Sequence, residues 1–241
     1  GYLDVWNPIS LYSRAPTVHR LRDRGEFTDL VFNHDVESFN VHRIVVCPQS
    51  KVFYKACTGG FKENFTVVIE MGHVSHVELK KMVSFFYDMD YDDNLPEETD
   101  ISLLQLHARM FALADEYDIQ GLSTIAQEKY SSRCAVWRPR EFLESIHDVY
   151  GRTPTTTRQL RDAACMAIRK NLPKMLEDEG IAGFYEEILT EIPEFTKGLL
   201  RSYVEAPFYR ECISCSSNQP MEALQARCKK CGKGNSGFHW Y

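Results

Sequence analysis

The pattern that most narrows the fold of this chain lies between residues 27 and 71. "FTDLVFN" (27–33) and "SFNVH" (38–42) are short β-rich runs around an "NHDVE" turn. "FTVVIEM" (65–71) alternates, so that Phe65, Val67, Ile69 and Met71 share one face. Between them, "HRIVVCPQSKVFYKACTGGF" predicts two short helices, broken at Pro48 and stopped by Gly59-Gly60. Two strands, a helical hairpin and a third strand make a compact α+β unit.

Helical periodicity then takes over. In 76–87, Leu79, Met82, Val83 and Phe86 recur at i, i+3, i+4 and i+7 as one apolar stripe. Residues 101–118 carry two stripes, Leu103-Leu106-Met110-Leu113-Ala114-Tyr117 and Leu104-Ala108-Phe111, which predict a helix buried on most sides. Gly121 reads as its stop, and "LSTIAQEKY" as a shorter helix to follow. From 132 to 207 four further apolar stripes read as helices, two of them opened by Pro139 and Pro193.

The order of these elements, with these residues, resembles the BTB/POZ domain. The resemblance covers residues 25–131 and rests on "FTDLVF", "FNVHRIVVCPQSKVFYKACTGGFKE", "VIEM…LKKMVSFFYDMDYDD" and "ALADEYDIQGLSTIAQEKY". It divides the chain into an N-terminal arm (1–24), the BTB/POZ domain (25–131), a helical extension like that of stand-alone fungal members (132–207) and a cysteine-bearing tail (208–241). One departure stands out: in place of the family's "YTG-x-Y" turn there is "YDMDYDDNLPEETD", with seven carboxylates between Asp88 and Asp100. Asp88, Asp90 and Asp92 have calcium-loop spacing, but Asp93 stands where such a loop needs glycine and Thr99 where it needs glutamate. A solvated charge run is the expectation.

The resemblance implies an interaction module with no active site, and the residues agree. There is no Gly-rich phosphate loop, no G-x-S-x-G elbow and no H-E-x-x-H pair. The eight histidines are dispersed. His73 and His76 read as solvated loop residues, and His42 as a packing and capping residue. The implied role is a protein-interaction scaffold that oligomerises and recruits partners. In the family, a charged pair of the first-strand aspartate and the basic residue after the histidine lies near the homodimer interface; here these are Asp29 and Arg43, with an ordinary intrachain ion pair as the alternative. The arm "LYSRAPTVHRLRDRGEF" is similar to the segment that forms a first helix in dimeric members. Phe61-Lys62-Glu63 fits the hydrophobic-x-Glu pattern by which ubiquitin-ligase adaptors of the family engage a cullin, so Phe61 and Glu63 are candidate partner contacts. The helical extension with its tail offers a third surface, for an unidentified client.

The tail carries four of the eight cysteines as two C-x-x-C pairs, "CISC" and "CKKC", 12 residues apart. Disulfides, a redox pair and a metal are the three explanations. A secreted disulfide scaffold is shorter and denser in cysteine, and a thioredoxin-like pair needs a strand-to-helix setting that this tail lacks. Cys212, Cys215, Cys228 and Cys231 are therefore expected to close a tetrahedron around one structural Zn²⁺. Gly232 and Gly234 permit the turn, and Lys229, Lys230 and Lys233 offset the excess negative charge of four thiolates. With all four positions filled by sulfur the ion holds a fold and does not catalyse. Cys47, Cys57, Cys134 and Cys165 sit singly among apolar neighbours and read as small core residues.

Composition sets the remaining bounds. With 28 Lys+Arg against 34 Asp+Glu, the chain is mildly acidic, which argues against a surface that grips nucleic acid along its length. Zinc ligation brings the tail's charge to about +1, so a chromatin- or nucleic-acid-associated regulator is the alternative function rather than the leading one. No window reaches the ~18 uncharged apolar residues of a membrane span. Reduced cysteines point to a nuclear or cytoplasmic setting, where the "NFT" sequon at Asn64 has no use. The start at Gly1 leaves a removed targeting segment open.

Overall fold

A computed structural model of the chain describes residues 15–58, 66–205, 209–211, 215–216, 218–220 and 230–231. These fall into two compact units that divide after Lys129.

In the first unit, helix α1 (Ala15–Asp23) precedes strands β1 (Leu30–Asn33) and β2 (Phe39–Val41). The helical hairpin follows as α2 (Arg43–Val46), a 3₁₀ turn (Cys47–Gln49) and α3 (Lys51–Thr58). Strand β3 (Val67–Glu70) leads to α4 (His76–Asp88), α5 (Leu103–Glu116) and α6 (Gln120–Ala135), which runs on into the second unit. The sheet order is β2-β1-β3, antiparallel between β1 and β2 and parallel between β1 and β3. A parallel neighbour requires a crossover, and the helical hairpin supplies it.

The pleat separates the sheet's two faces. Leu30, Phe32 and Val41 point inward and are fully buried. On the other face the Asn33 amide donates to Glu70 Oε2 at 2.8 Å. The core is aromatic: the Phe53 ring lies 4.8 Å from Phe32, 6.1 Å from Phe86 and stacked 4.7 Å from Tyr117. Ser50 starts α3, where its hydroxyl accepts the Phe53 N–H and donates to the Tyr117 carbonyl at 2.6 Å. One polar side chain thus satisfies a helix terminus and ties it to the turn after α5.

Three sequence expectations are corrected. The first strand begins at Leu30 and not at Phe27, because Gly25 and Phe27 both have left-handed backbone (φ 65° and 60°) and the Thr28 hydroxyl bonds back to the Gly25 carbonyl. Gly121 does not end a helix; it lies in the first turn of α6, and the break is made by Asp118, at φ 50°. A short polar side chain tolerates that conformation where most residues do not. The helix that follows spans 16 residues and is not a short one.

The acidic segment is exposed as a charge run should be, yet it is also anchored. Lys81, itself buried, donates to Asp92 Oδ1 at 2.5 Å and to the Asn94 carbonyl at 2.7 Å, and this ammonium holds the Asp92 carboxyl below its usual range. Lys129 reaches Asp93 at 3.2 Å and lies 5.0 Å over the Tyr91 ring, whose hydroxyl meets His107 Nδ1 at 2.9 Å.

The second unit continues α6 with α7 (Pro139–Gly151), α8 (Gln159–Met175), α9 (Glu179–Glu191) and α10 (Pro193–Glu205). Phe142, Ile146, Leu160, Ile168, Ile188 and Phe195 are fully buried and form its core. Arg169 is buried too: it donates to the Ser202 carbonyl and lies 4.5 Å over the Tyr203 ring, joining α8 to the end of α10. A small hairpin of β4 (Tyr209–Glu211) and β5 (Asn218–Pro220) follows. Cys134 and Cys165 are core residues as expected, whereas Cys47 and Cys57 are half-buried.

Candidate protein-docking site

The first unit carries an open groove of about 600 Å³ between α3 and the start of α6. Its walls come from three stretches far apart in sequence: the 3₁₀ turn with α3, the end of α4, and the turn from α5 into α6. Each is placed by a specific tether. Gln49 fixes the first by donating from Nε2 to the carbonyls of Val45 (2.7 Å) and Phe86 (2.8 Å). Met89 ends α4 in left-handed backbone, its N–H bonded to the Phe85 carbonyl. Left-handed Asp118 turns the chain so that buried Ile119 and backbone at Gly121 face the groove.

Phe85, Met89 and Ile119 give the groove apolar walls, while Lys51, Lys55 and Asp118 are the charged members of its lining. Lys51 Nζ approaches Asp118 Oδ2 to 2.9 Å, and this contact, seconded by Gln120, holds the Asp118 carboxyl below its usual range. Tyr54 stands 56% exposed on α3, presenting a large ring with a polar tip. Cys47 also lines the groove; burial, followed by the neighbouring Cys57 thiol, pushes its pKa up to about 12, which favours the neutral thiol. An apolar trough with a charged lining and an exposed aromatic is suited to taking a protein element rather than to acid–base chemistry.

Asp29 and Arg43 meet. The Arg43 backbone N–H donates to Asp29 Oδ1 at 2.7 Å, Arg43 Nε donates to the Asp29 carbonyl at 3.0 Å, and the ionic contact is a longer 3.9 Å. Asp29 therefore satisfies the first amide of α2, which His42 leaves to it: the buried His42 ring hydrogen-bonds the Tyr87 hydroxyl and the Glu26 carbonyl and does not cap. The pair is partly exposed, at 27% for the Arg43 side chain and 43% for Asp29. Phe27 and Ile44, neighbours of the pair in sequence, are two large apolar side chains exposed at 83% and 82%. Helix α1 is not free: the Arg22 guanidinium lies 4.8 Å over the Tyr87 ring of α4.

The other named residues are placed as follows. Phe61 and Glu63 lie outside the described residues, three and five positions beyond the end of α3. Cys212 and Cys228 are also outside them; Cys215 and Cys231 each lie in a turn. His73 meets the Tyr117 hydroxyl at 2.9 Å and His76 opens α4, so the two do not converge on a site. The groove itself escaped sequence reasoning. No local signal marks it, since Lys51 and Asp118 stand 67 positions apart among other polar residues.

Residues 18–133 match the family model of the BTB/POZ domain. Kelch-like protein 26 of the zebrafish Danio rerio is 37% identical over 70 residues, which make up 29% of this chain and 12% of that protein. The match thus spans only a small part of its curated relative. Among solved structures, the BTB domain of zebrafish PATZ1 is similar at 18% identity, covering 53% of this chain and 96% of that one with a TM-score of 0.43. The BTB domain of human gigaxonin is similar at 17% identity, covering 53% and 97%, with a TM-score of 0.41.

Proposed function

We propose that this chain uses its BTB/POZ domain, residues 18–133, as a non-catalytic scaffold that recruits a cullin to the groove between α3 and the start of α6. BTB/POZ domains are protein-interaction domains, and catalytic motifs are missing from the sequence. The observation that carries the reading is the groove itself, apolar within and charged by Lys51, Lys55 and Asp118. The Phe61-Lys62-Glu63 pattern begins three positions after the end of α3 in sequence and supports the same partner class. A phenylalanine anchor beside a carboxylate rim is the kind of contact that concentrates binding energy in a few residues.

Titration calorimetry of the purified chain against the amino-terminal helical domains of a panel of cullins tests this. One cullin should bind, and the double variant Phe61→Ala with Glu63→Ala should weaken it at least tenfold, about 1.4 kcal/mol or more. If no cullin binds, or if the double variant binds as the parent does, the adaptor reading is wrong.

The exposed Phe27 and Ile44 beside the Asp29–Arg43 pair favour a second contact, between two copies of this chain. Burying both side chains removes about 1.5–3 kcal/mol of apolar exposure per residue. Light scattering should give a dimer mass for the parent chain and a monomer for Ile44→Asp. A monomeric parent would remove the self-association from the account while leaving the cullin groove intact.

A further inference from the structure

We infer that the hairpin of β4 and β5 is one half of a Zn²⁺ site whose ligands are the thiolates of Cys212, Cys215, Cys228 and Cys231. The strands pair antiparallel with Glu211 opposite Asn218, so the six residues 212–217 connect them and the first C-x-x-C pair occupies that connection. Cys215 is exposed in a turn, and Ser216 after it has left-handed backbone at φ 47°. A left-handed residue at this place swings successive peptide N–H groups toward one point, which is how a short loop offers hydrogen bonds to thiolates bound to a metal.

The hairpin also requires support from outside its own ladder. Each strand has three residues. A two-stranded hairpin of that size is marginal in water. The four thiolates of the two C-x-x-C pairs, 12 residues apart in sequence, provide the missing restraint by fixing both pairs to one ion. Cys231 lies in a turn, next to Lys230 and ahead of Gly232. Lys229, Lys230 and Lys233 supply positive charge against the net double negative charge of a Zn–thiolate₄ centre.

The exposure of Cys215 separates it from Cys134 and Cys165, which are buried and packed as core residues. This inference is independent of the cullin reading, because the site lies wholly in the second unit and involves no residue of the groove.

Elemental analysis of the full chain, purified under reducing conditions without chelator, should find about one zinc per chain. The variant Cys228→Ser with Cys231→Ser should lose it while keeping the helical circular dichroism of the parent. Should that variant fail to fold, the parent alone decides: exchange into Co²⁺ should give the visible absorption of a tetrahedral thiolate complex, bleached by added Zn²⁺. Thiol titration of chelator-treated, denatured chain should count all eight cysteines. Metal-free parent that gives no tetrahedral cobalt spectrum, or a thiol count lowered by disulfides, overturns the site.

Discussion

Replacing Phe53 with alanine should lower the stability of the first unit by about 3–5 kcal/mol, the usual cost of removing a fully buried aromatic ring. Phe53 is 1% exposed and is the ring on which the two layers meet: it contacts Phe32 of the sheet, Phe86 of α4 and Tyr117 at the end of α5. Truncation leaves a hole that three different elements would have to close together, and close packing resists that. Aromatic pairing adds about 0.5–1.5 kcal/mol beyond the area lost. Phe53→Leu, which keeps most of the volume, should cost clearly less. Urea unfolding followed by circular dichroism measures both, and a midpoint for Phe53→Ala within error of the parent would mean that the sheet and helices do not share this core.

Gly121→Val should cost about 2–3 kcal/mol, although glycine is normally the worse residue in a helix. A Cβ at position 121 would stand 2.9 Å from Cζ of the Phe85 ring, inside the distance at which two carbons tolerate one another. Phe85 is 1% exposed and rests edge-on against Phe86, so it has little room to swing away. Valine adds two further methyl groups where a single Cβ is already too close. Gly121→Ala is the informative control. Its gain of about 1 kcal/mol in helix propensity opposes the contact with one ring edge, and the two should roughly cancel. A Gly121→Val chain as stable as the parent would show that Phe85 is loosely held. The same substitution narrows the groove, because Phe85 and Gly121 both line it.

The α+β order of the first unit was legible because its signals are local. Pro48 marks the break in the helical hairpin, alternation marks β3, and apolar stripes at helical spacing mark α4 and α5. Gly121 misled because a glycine after an apolar stripe usually ends a helix; here the backbone turn falls to Asp118, and the glycine makes room for the close approach of Phe85, 36 residues earlier in the chain. The anchoring of the acidic segment had the same kind of cause. Lys81 and Lys129 lie on helices distant in sequence, and nothing local shows that they converge on Asp92 and Asp93. His42 was legible as a packed residue but not as one that leaves capping to Asp29, since that depends on the residue just before β1, 13 positions upstream. The groove is the extreme case. Its lining is drawn from three segments whose meeting is a property of the fold and not of any one pattern.

The central claim is that a partner seats in the groove of the first unit, and hydrogen exchange tests it most directly. Amide exchange of the full chain should be measured alone and with the cullin that calorimetry identifies. The account expects slowed exchange on binding in 47–58, 85–89 and 117–123, the segments that line the groove, with 139–205 unchanged. Protection confined to the helices of the second unit, with the groove segments exchanging as in the free chain, would contradict it.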